Sequence, residues 1–252
     1  MTEKDALFNY CLRLGDNSLI LGHRLSEWCG HGPVLETDIA MINISLDLIG
    51  QARSFLSLAG EVENKGRDED ALAYLRDVFH FKNALLTEQE NGDFGFTMVR
   101  QFLYDSFHYY FFQELSNSLH PQLAAIAQKS LKETTYHLRF SSEWIIRLGD
   151  GTEESNKRVQ DAIDDLWEYG EEFFEKDEVE NILIASGIAI DTALIKDKVD
   201  AKRKEILETA SLSIPTSNFH QSGGRVGKHS ENLGYILAEM QFLQRAYPNA
   251  TW

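Results

Sequence analysis

Cysteine and basic residues are both scarce in this chain, and each shortage excludes a class of protein. Only Cys11 and Cys29 occur among 252 residues, which is too few for a disulfide framework and favours a reducing cytoplasm. Lysine and arginine number 24 against 40 aspartate and glutamate residues, so the net charge is −16. Because such a surface repels phosphates, we expect no nucleic-acid partner.

Signals for targeting and for membrane insertion are also missing. The sequence starts without a basic segment followed by an apolar stretch, so no signal peptide is expected. Every apolar run of about 18 residues contains interior polar side chains, so no membrane span is expected either. Composition therefore predicts a soluble, acidic, cytoplasmic protein and leaves its chemistry open.

The four prolines fall between periodic segments and never inside one, as expected if those segments are helices. Helical periodicity predicts long helices over about residues 5–29, 36–61, 94–119 and 121–148. Further helices are predicted over about residues 68–86, 153–175, 179–186, 191–209 and 231–247, with a loop at 211–228. No segment has the length and alternation of a β-strand.

Two of the long segments carry almost no charge. Residues 39–60 contain only Asp47 and Arg53 as charged side chains, and residues 94–113 contain only Arg100, Asp105 and His108 as charged or imidazole side chains. A helix that is apolar on nearly every side belongs in the middle of a bundle. The predicted fold is therefore all-α, a single domain over residues 1–252. Its four-helix bundle core covers about residues 5–148, and peripheral helices cover about 152–252.

Carboxylates and imidazoles on central helices hold the ions of di-metal bundles, which use a Glu-x-x-His pair on each of two helices. None of the eight histidines has a glutamate three residues before it, and two have an aspartate. The first pair, Asp77/His80, lies on a charged segment and is expected to be partly exposed. The second, Asp105/His108, either supplies metal ligands or forms a buried hydrogen bond. We favour the hydrogen bond, because aspartate is one methylene shorter than glutamate.

His137 is the remaining histidine of interest on a long helix. Thr134 precedes it by three residues and Glu133 by four. The isolated charges Asp47 and Arg53 are interpreted as a buried salt bridge, to each other or across the bundle, that could replace the charge of a metal. The alternative is a di-metal oxidase active in its own right, which would use Asp47, Asp105, His108, Glu133 and His137.

Six stretches along the chain resemble the family of structural subunits, often called C subunits, of bacterial phenylacetyl-CoA epoxidases. They are residues 12–17 (LRLGDN), 27–31 (EWCGH), 43–53 (NISLDLIGQAR), 136–140 (YHLRF), 223–229 (GGRVGKH) and 237–245 (LAEMQFLQR). The stretches occur in order and span the chain nearly end to end, so the match is specific.

The resemblance implies a ferritin-like fold and a place in an NADPH-dependent multicomponent monooxygenase of phenylacetate catabolism. In that family a related catalytic A subunit holds the di-iron centre and binds the CoA thioester, and a separate reductase supplies electrons from NADPH. The C subunit binds and supports the A subunit without performing the oxidation. The partner implied for this chain is the A subunit, and self-association is left open.

Comparison with the catalytic members implies an empty metal site. Their Asp-Glu-x-x-His pattern aligns with residues 47–51, where Leu48 replaces the ligand glutamate and Gln51 the histidine. Their later Glu-x-x-His pattern aligns with residues 134–137, where Thr134 replaces the glutamate and His137 is retained. We therefore expect no catalytic residue, metal or cofactor in this chain. The residues of the vestigial site are Asp47, Leu48, Gln51, Asp105, His108, Glu133, Thr134 and His137.

The loop over residues 223–230 partly resembles a phosphate-binding loop. It departs from the G-x-x-x-x-G-K-[ST] spacing, because Ser222 stands at the first glycine position and His229 follows the lysine. No predicted strand precedes it. We interpret it as an ordered basic loop in which Arg225, Lys228 and His229 are candidates for contact with the partner chain or with CoA.

Overall fold

The computed structural model describes residues 1–217 and 219–248, and regular structure in this part of the chain is helical, without β-strands. The α-helices are α1 (Glu3–Ser26), α2 (Leu35–Glu63), α3 (Glu69–Tyr74), α4 (Leu85–Glu88), α5 (Phe94–Leu115), α6 (Pro121–Gly149), α7 (Glu153–Leu166), α8 (Glu178–Ala185), α9 (Ala193–Thr209), α10 (Glu231–Met240) and α11 (Phe242–Ala246). The predicted all-α class is confirmed, and the four long helices α1, α2, α5 and α6 agree with a ferritin-like bundle. None of the helices described is long and apolar enough to cross a membrane.

Two compact units make up the described chain. The first contains residues of Met1–Glu90 and Gly223–Trp252, and the second contains residues of Asn91–Ser222. Each unit is built on one pair of consecutive long helices, α1 with α2 in the first and α5 with α6 in the second. The assignment of both units to one domain stays a prediction.

In the first unit, α1 and α2 run antiparallel and pack closely. Gly15 of α1 faces Leu56 near the end of α2, while the carbonyl oxygen of Gly22 accepts a 2.7 Å hydrogen bond from the Ser45 hydroxyl. Residues at alternating spacings of four and three along α1 are buried: Leu7, Cys11, Leu14, Ser18, Leu21 and Leu25. The pKa of Cys11 is raised to about 12 by burial, so this thiol is a core side chain.

Helix α2 buries one face and exposes the other. Met41, Ile44 and Leu48 are in the core, whereas Arg53 leaves 76% of its side chain exposed and pairs with Glu69 at 3.1 Å. The predicted buried salt bridge is therefore wrong for Arg53, both with Asp47 and across the bundle; a partner of Asp47 across the bundle stays a prediction. Six residues correspond to about 240° around a helix, so the two side chains leave α2 in different directions. The expectation of a fully enclosed helix is also wrong for α2.

The helix predicted over residues 68–86 is broken into α3, a 3-10 turn at Val78–His80, and α4. The cause is a pair of polar side chains on α1. Asp16 accepts the backbone N–H of Lys82 at 2.8 Å, and Asn17 accepts that of Ala84 at 2.7 Å. Backbone donors that bind these side chains cannot also continue a helix.

In the second unit, α5 and α6 also run antiparallel, with the rings of Phe94 and Trp144 4.9 Å apart at one end. Pro121 is the first residue of α6, as predicted. The acidic helix predicted over residues 153–175 ends at Leu166 and is followed by 3-10 turns. Gly170 lies in this region, and glycine costs about 1 kcal/mol relative to alanine inside a helix. The last predicted helix is interrupted at Gln241, between α10 and α11.

Candidate metal centre

Asp105 is the central acid of the second unit. It lies on α5 and is completely buried. Its Oδ1 accepts a 2.7 Å hydrogen bond from the side-chain amide of Gln101, one turn earlier on the same helix. Its Oδ2 accepts a 2.8 Å hydrogen bond from the hydroxyl of Ser141 on α6. Both carboxyl oxygens are therefore satisfied by neutral donors.

The environment of Asp105 favours its protonated form more than water does. Burial raises the pKa of Asp105 to about 6, although the charge of His137 and the hydrogen bonds from Ser141 and Gln101 act in the opposite direction. Desolvation dominates because a carboxylate loses more hydration energy than two neutral hydrogen bonds restore.

His108 lies one turn after Asp105 and has a different partner. Its Nδ1 is 2.9 Å from the backbone carbonyl oxygen of Tyr104, and its ring stacks on the Tyr104 ring with centroids 3.7 Å apart. Burial lowers the pKa of His108 to about 3, although the hydrogen bond to Tyr104 raises it. The ring is thus neutral near pH 7, with Nδ1 carrying the proton.

The predicted hydrogen bond between Asp105 and His108 is wrong. The carboxyl of Asp105 binds Gln101 and Ser141, while the imidazole of His108 binds backbone of its own helix and lies among aromatic rings, including Phe107 and Phe173. A spacing of three residues places the side chains of Asp105 and His108 on neighbouring parts of the helix surface. They do not bind each other, because each forms its hydrogen bonds with other groups.

Helix α6 brings His137 into the interior. His137 is completely buried and lies one turn before Ser141, close enough to Asp105 for its charge to lower the acid's pKa. Thr134, one turn earlier, is also buried. Glu133 keeps 18% of its side chain exposed and lies 3.7 Å from the ammonium group of Lys129.

The remaining candidates lie elsewhere. In the first unit, Leu48 and Gln51 are buried on α2 and Asp47 is half-buried. Asp77 and His80 are both exposed, and the carboxylate of Asp77 accepts a 2.9 Å hydrogen bond from the guanidinium of Arg245.

This donor set does not fit a di-iron centre. Such a centre takes a glutamate from each of two helices and a Glu-x-x-His pair from each of two others. Here leucine and threonine occupy positions 48 and 134, and both oxygens of Asp105 accept hydrogen bonds from neutral groups. Within residues 1–217 and 219–248, no group of three or more His, Cys, Asp or Glu side chains is placed to hold a metal ion.

A buried polar cluster that the sequence did not predict lies in the first unit. We name it the Glu88–His229 cluster; it consists of Asn83, Glu88, His229 and Ser230. The side chains of Glu88 and His229 are 0% and 1% exposed, and Nδ1 of His229 is 2.8 Å from Oε2 of Glu88. Asn83 donates to Glu88 at 2.9 Å, and the backbone N–H of Ser230 donates at 2.7 Å.

Both ring nitrogens of His229 face oxygen acceptors, because Nε2 is 3.0 Å from the carbonyl oxygen of Phe81. Only the doubly protonated imidazolium can donate to both. Burial by itself lowers the pKa of His229, but the hydrogen bond and charge of Glu88, the Phe81 carbonyl and the charge of Asp16 together raise it. His229 therefore holds its second proton more tightly than an exposed histidine does, and in its protonated form it makes a buried ion pair with Glu88.

A second buried ion pair lies beside this cluster. Nη1 of Arg76 donates to Oδ2 of Asp16 at 2.9 Å, and Nη2 donates to the other oxygen. The Arg76 guanidinium also lies over the ring of Phe81, 4.3 Å from its centroid. These contacts fix residues 76–84 against α1.

The glycines of the loop over residues 223–230 serve close packing. A Cβ at Gly224 would collide with the carbonyl oxygen of Asn83. Gly227 has φ +85°, and a Cβ there would lie 2.5 Å from the carbonyl oxygen of Phe79. The loop thus carries the His229 ring into the interior, away from any solvent-borne ligand. Lys228 is exposed and Arg225 is half-buried. In the sequence, the glycines just before His229 are the one visible sign of this cluster, and nothing in the sequence identifies Glu88 as the partner of His229.

Comparison with known proteins places the chain among its relatives. A family model described as "Phenylacetic acid catabolic protein" matches residues 1–252. The chain belongs to this family. It is also 48% identical over 243 residues to the C subunit of the 1,2-phenylacetyl-CoA epoxidase of Escherichia coli (strain K12), with 96% of this chain and 98% of the relative covered. The family resemblance seen in the sequence motifs is therefore confirmed.

Proposed function

We propose that this chain is a non-catalytic structural subunit of a cytoplasmic phenylacetyl-CoA 1,2-epoxidase complex in phenylacetate catabolism. In this proposal it binds and supports the catalytic A subunit, which holds the di-iron centre and the CoA thioester. A separate reductase delivers electrons from NADPH to that centre. The subunit designation of the relative, which shares 48% of its residues with this chain, supports a place in such a complex.

The non-catalytic role is supported chiefly by the core side chains that stand where the family resemblance implies metal ligands. Leu48 is 1% exposed and Thr134 is 2% exposed, at the two positions where the family resemblance implies ligand glutamates. Asp105, which could still bind a metal, instead accepts hydrogen bonds from Gln101 and Ser141.

Metal analysis of the chain expressed alone in iron-replete medium tests the absence of a centre. We expect far less than one iron per chain by elemental analysis, with the A subunit, purified in parallel, as the positive control. A value close to two irons per chain would instead favour the di-metal oxidase that uses Asp47, Asp105, His108, Glu133 and His137.

Replacement of His137, the one retained ligand-type residue, tests the role within the complex. Glutamine keeps a polar side chain that can donate and accept hydrogen bonds. We therefore expect His137→Gln to assemble with the A subunit and to support epoxidation within a few-fold of wild type. The matched control is Glu143→Gln, at a position on the same helix with 68% side-chain exposure. Even changes to residues that only orient metal ligands typically cost about 10–100-fold, so a larger loss in a normally assembled complex would refute the structural role.

A further inference from the structure

A cleft lies between α5, α6 and α9 in the second unit. Tyr109 and Tyr110 of α5 line one wall, residues 135–146 of α6 contribute a second, and Lys202 and Ile206 of α9 line a third. Its volume is about 400 Å³, within the roughly 300–1,000 Å³ of small-molecule sites. We call it the α5–α6–α9 cleft.

The packing of the three helices gives the cleft a direction. Nη2 of Arg203 on α9 donates to the carbonyl oxygen of Leu103 on α5 at 2.9 Å. Lys198, earlier on α9, pairs with Glu114, later on α5, at 3.1 Å. Helix α9 therefore runs antiparallel to α5, as α6 does, so α6 and α9 are parallel. The cleft follows residues 135–146 of α6, which cover about 16 Å at 1.5 Å per residue.

The two ends of the cleft differ in polarity. Arg139 of α6 and Lys202 of α9 line one end. The phenol of Tyr110 is close to this end, since burial raises the pKa of Tyr110 while the charge of Lys202 lowers it. Ile146 and Ile206 lie further along the same two helices and line the other end. Cations at one end and aliphatic side chains at the other fit an amphipathic anion.

The carboxylates beside these cations are on the surface. Arg139 lies 4.0 Å from Glu143, whose side chain is 68% exposed. Lys202 lies 3.1 Å from Glu205, whose side chain is 62% exposed. Exposed ion pairs of this kind contribute little to stability, so a ligand carboxylate can replace either acid.

Ser142 supplies a buried donor between the two ends. It lines the cleft one turn after Arg139 on α6 and is only 7% exposed. Its Oγ has no hydrogen-bond partner within residues 1–217 and 219–248. A buried hydroxyl without a partner costs free energy, which a ligand carboxylate would recover by accepting a hydrogen bond from it.

We propose that the α5–α6–α9 cleft binds a medium-chain fatty acid. The carboxylate lies beside Arg139 and Lys202 and accepts a hydrogen bond from Ser142, and the alkyl chain extends towards Ile146 and Ile206. An alkyl chain fits better than a compact ring system, because the cleft is elongated along the helices. The site belongs to this chain alone, so its test is independent of the role proposed for the complex.

Isothermal titration calorimetry of the full chain measures the binding, with decanoate kept below the concentration at which it forms micelles. We expect one saturable site per chain. Decanoate should bind up to about 15-fold more tightly than octanoate, since each fully buried methylene is worth roughly fourfold in affinity. Decylammonium, which has the same chain and the opposite charge, should bind roughly tenfold more weakly or worse.

Two substitutions test the polar end of the cleft. Lys202→Gln should weaken decanoate binding roughly fivefold. The matched control is Lys204→Gln, which lies about 200° away around α9 with a side chain that is 61% exposed, and it should leave the affinity unchanged. Ser142→Ala should weaken binding roughly tenfold or more. The melting temperature of the free Ser142→Ala chain should stay the same or rise, because the variant removes a buried hydroxyl without a partner.

The readouts separate a ligand site from a structural role. A purely structural Ser142 would change the melting temperature without changing the affinity for decanoate. The proposal is overturned if decanoate shows no saturable binding, if decylammonium binds equally well, or if Lys202→Gln or Ser142→Ala matches Lys204→Gln in affinity. Tighter binding of 2-naphthoate than of decanoate would also overturn it, by assigning the cleft to aromatic acids.

Discussion

Replacing His229 by glutamine tests whether the Glu88–His229 cluster stabilises the first unit. The change removes a buried cation and leaves the Glu88 carboxylate, which is 0% exposed, with only Asn83 and the Ser230 backbone as donors. Glutamine is also too short to reach both Glu88 and the carbonyl of Phe81 in the way the imidazolium does.

The size of the effect follows from the burial of both partners. Removing one member of a buried ion pair costs about 3–5 kcal/mol, because the other charge is left uncompensated. In a chain of this size each kcal/mol lowers the melting temperature by about 2–4 °C. We therefore expect His229→Gln to melt roughly 6–20 °C below wild type.

Thermal unfolding followed by circular dichroism at about pH 6 measures this difference. The matched control is His80→Gln in the same unit, since His80 is exposed and surface changes usually stay within about 0.5 kcal/mol. A double-mutant cycle with Glu88→Gln isolates the pair. If His229→Gln lowers the free energy of unfolding by the same amount with and without the Glu88→Gln substitution, the ion pair does not stabilise the unit.

The pH dependence gives an independent check with a defined sign. The folded pKa of His229 is raised above its ordinary value, so the folded state binds this proton more tightly than the unfolded state. The stabilisation is complete below the unfolded pKa of about 6.5 and is lost as the pH rises through the folded pKa. The deficit of His229→Gln should therefore shrink at alkaline pH. A deficit that grows with pH would contradict the assignment of His229 as a cation.

Further measurements test the second unit, the loop glycines and the metal. Asp105 binds its proton more tightly when folded, with a pKa of about 6, so stability falls as pH rises towards that value. Asp105→Asn should remove this pH dependence of stability. Near neutral pH the unfolding free energy of the variant should be higher than that of wild type by up to about 3 kcal/mol, and a clear loss of stability would contradict this. Gly224→Ala should lower the melting temperature, because the added Cβ would collide with the backbone of Asn83. Gly234→Ala is the control: no atom lies within 4 Å of its added Cβ, so it should raise the unfolding free energy by about 0.5–1 kcal/mol. If both substitutions had the same effect, Gly224 would not be required for close packing. A chelator should leave the wild-type melting temperature unchanged, since a metal bound only to the folded state would stabilise it by mass action.

The sequence by itself determined the helical class and the positions of the long helices. Periodicity and local start and stop signals placed α1, α2 and α6 within three residues at each end. These features depend on contacts within a few residues of one another, which a sequence displays directly. The expectation of an empty metal site came from the family resemblance, which assigns Leu48 and Thr134 to positions of ligand glutamates, and it stays a prediction.

Only the tertiary structure decided which polar groups meet and which way each helix faces. Residue spacing fixes the angle between two side chains around a helix axis, but it does not say which side of the helix the protein covers. Arg53 consequently points outward, opposite to the expectation. The partners that break the helix predicted over residues 68–86 and that bury His229 are distant in sequence: Lys82 lies 66 residues from Asp16, and His229 lies 141 from Glu88. Such pairs follow from the packing of whole helices, which no local pattern encodes.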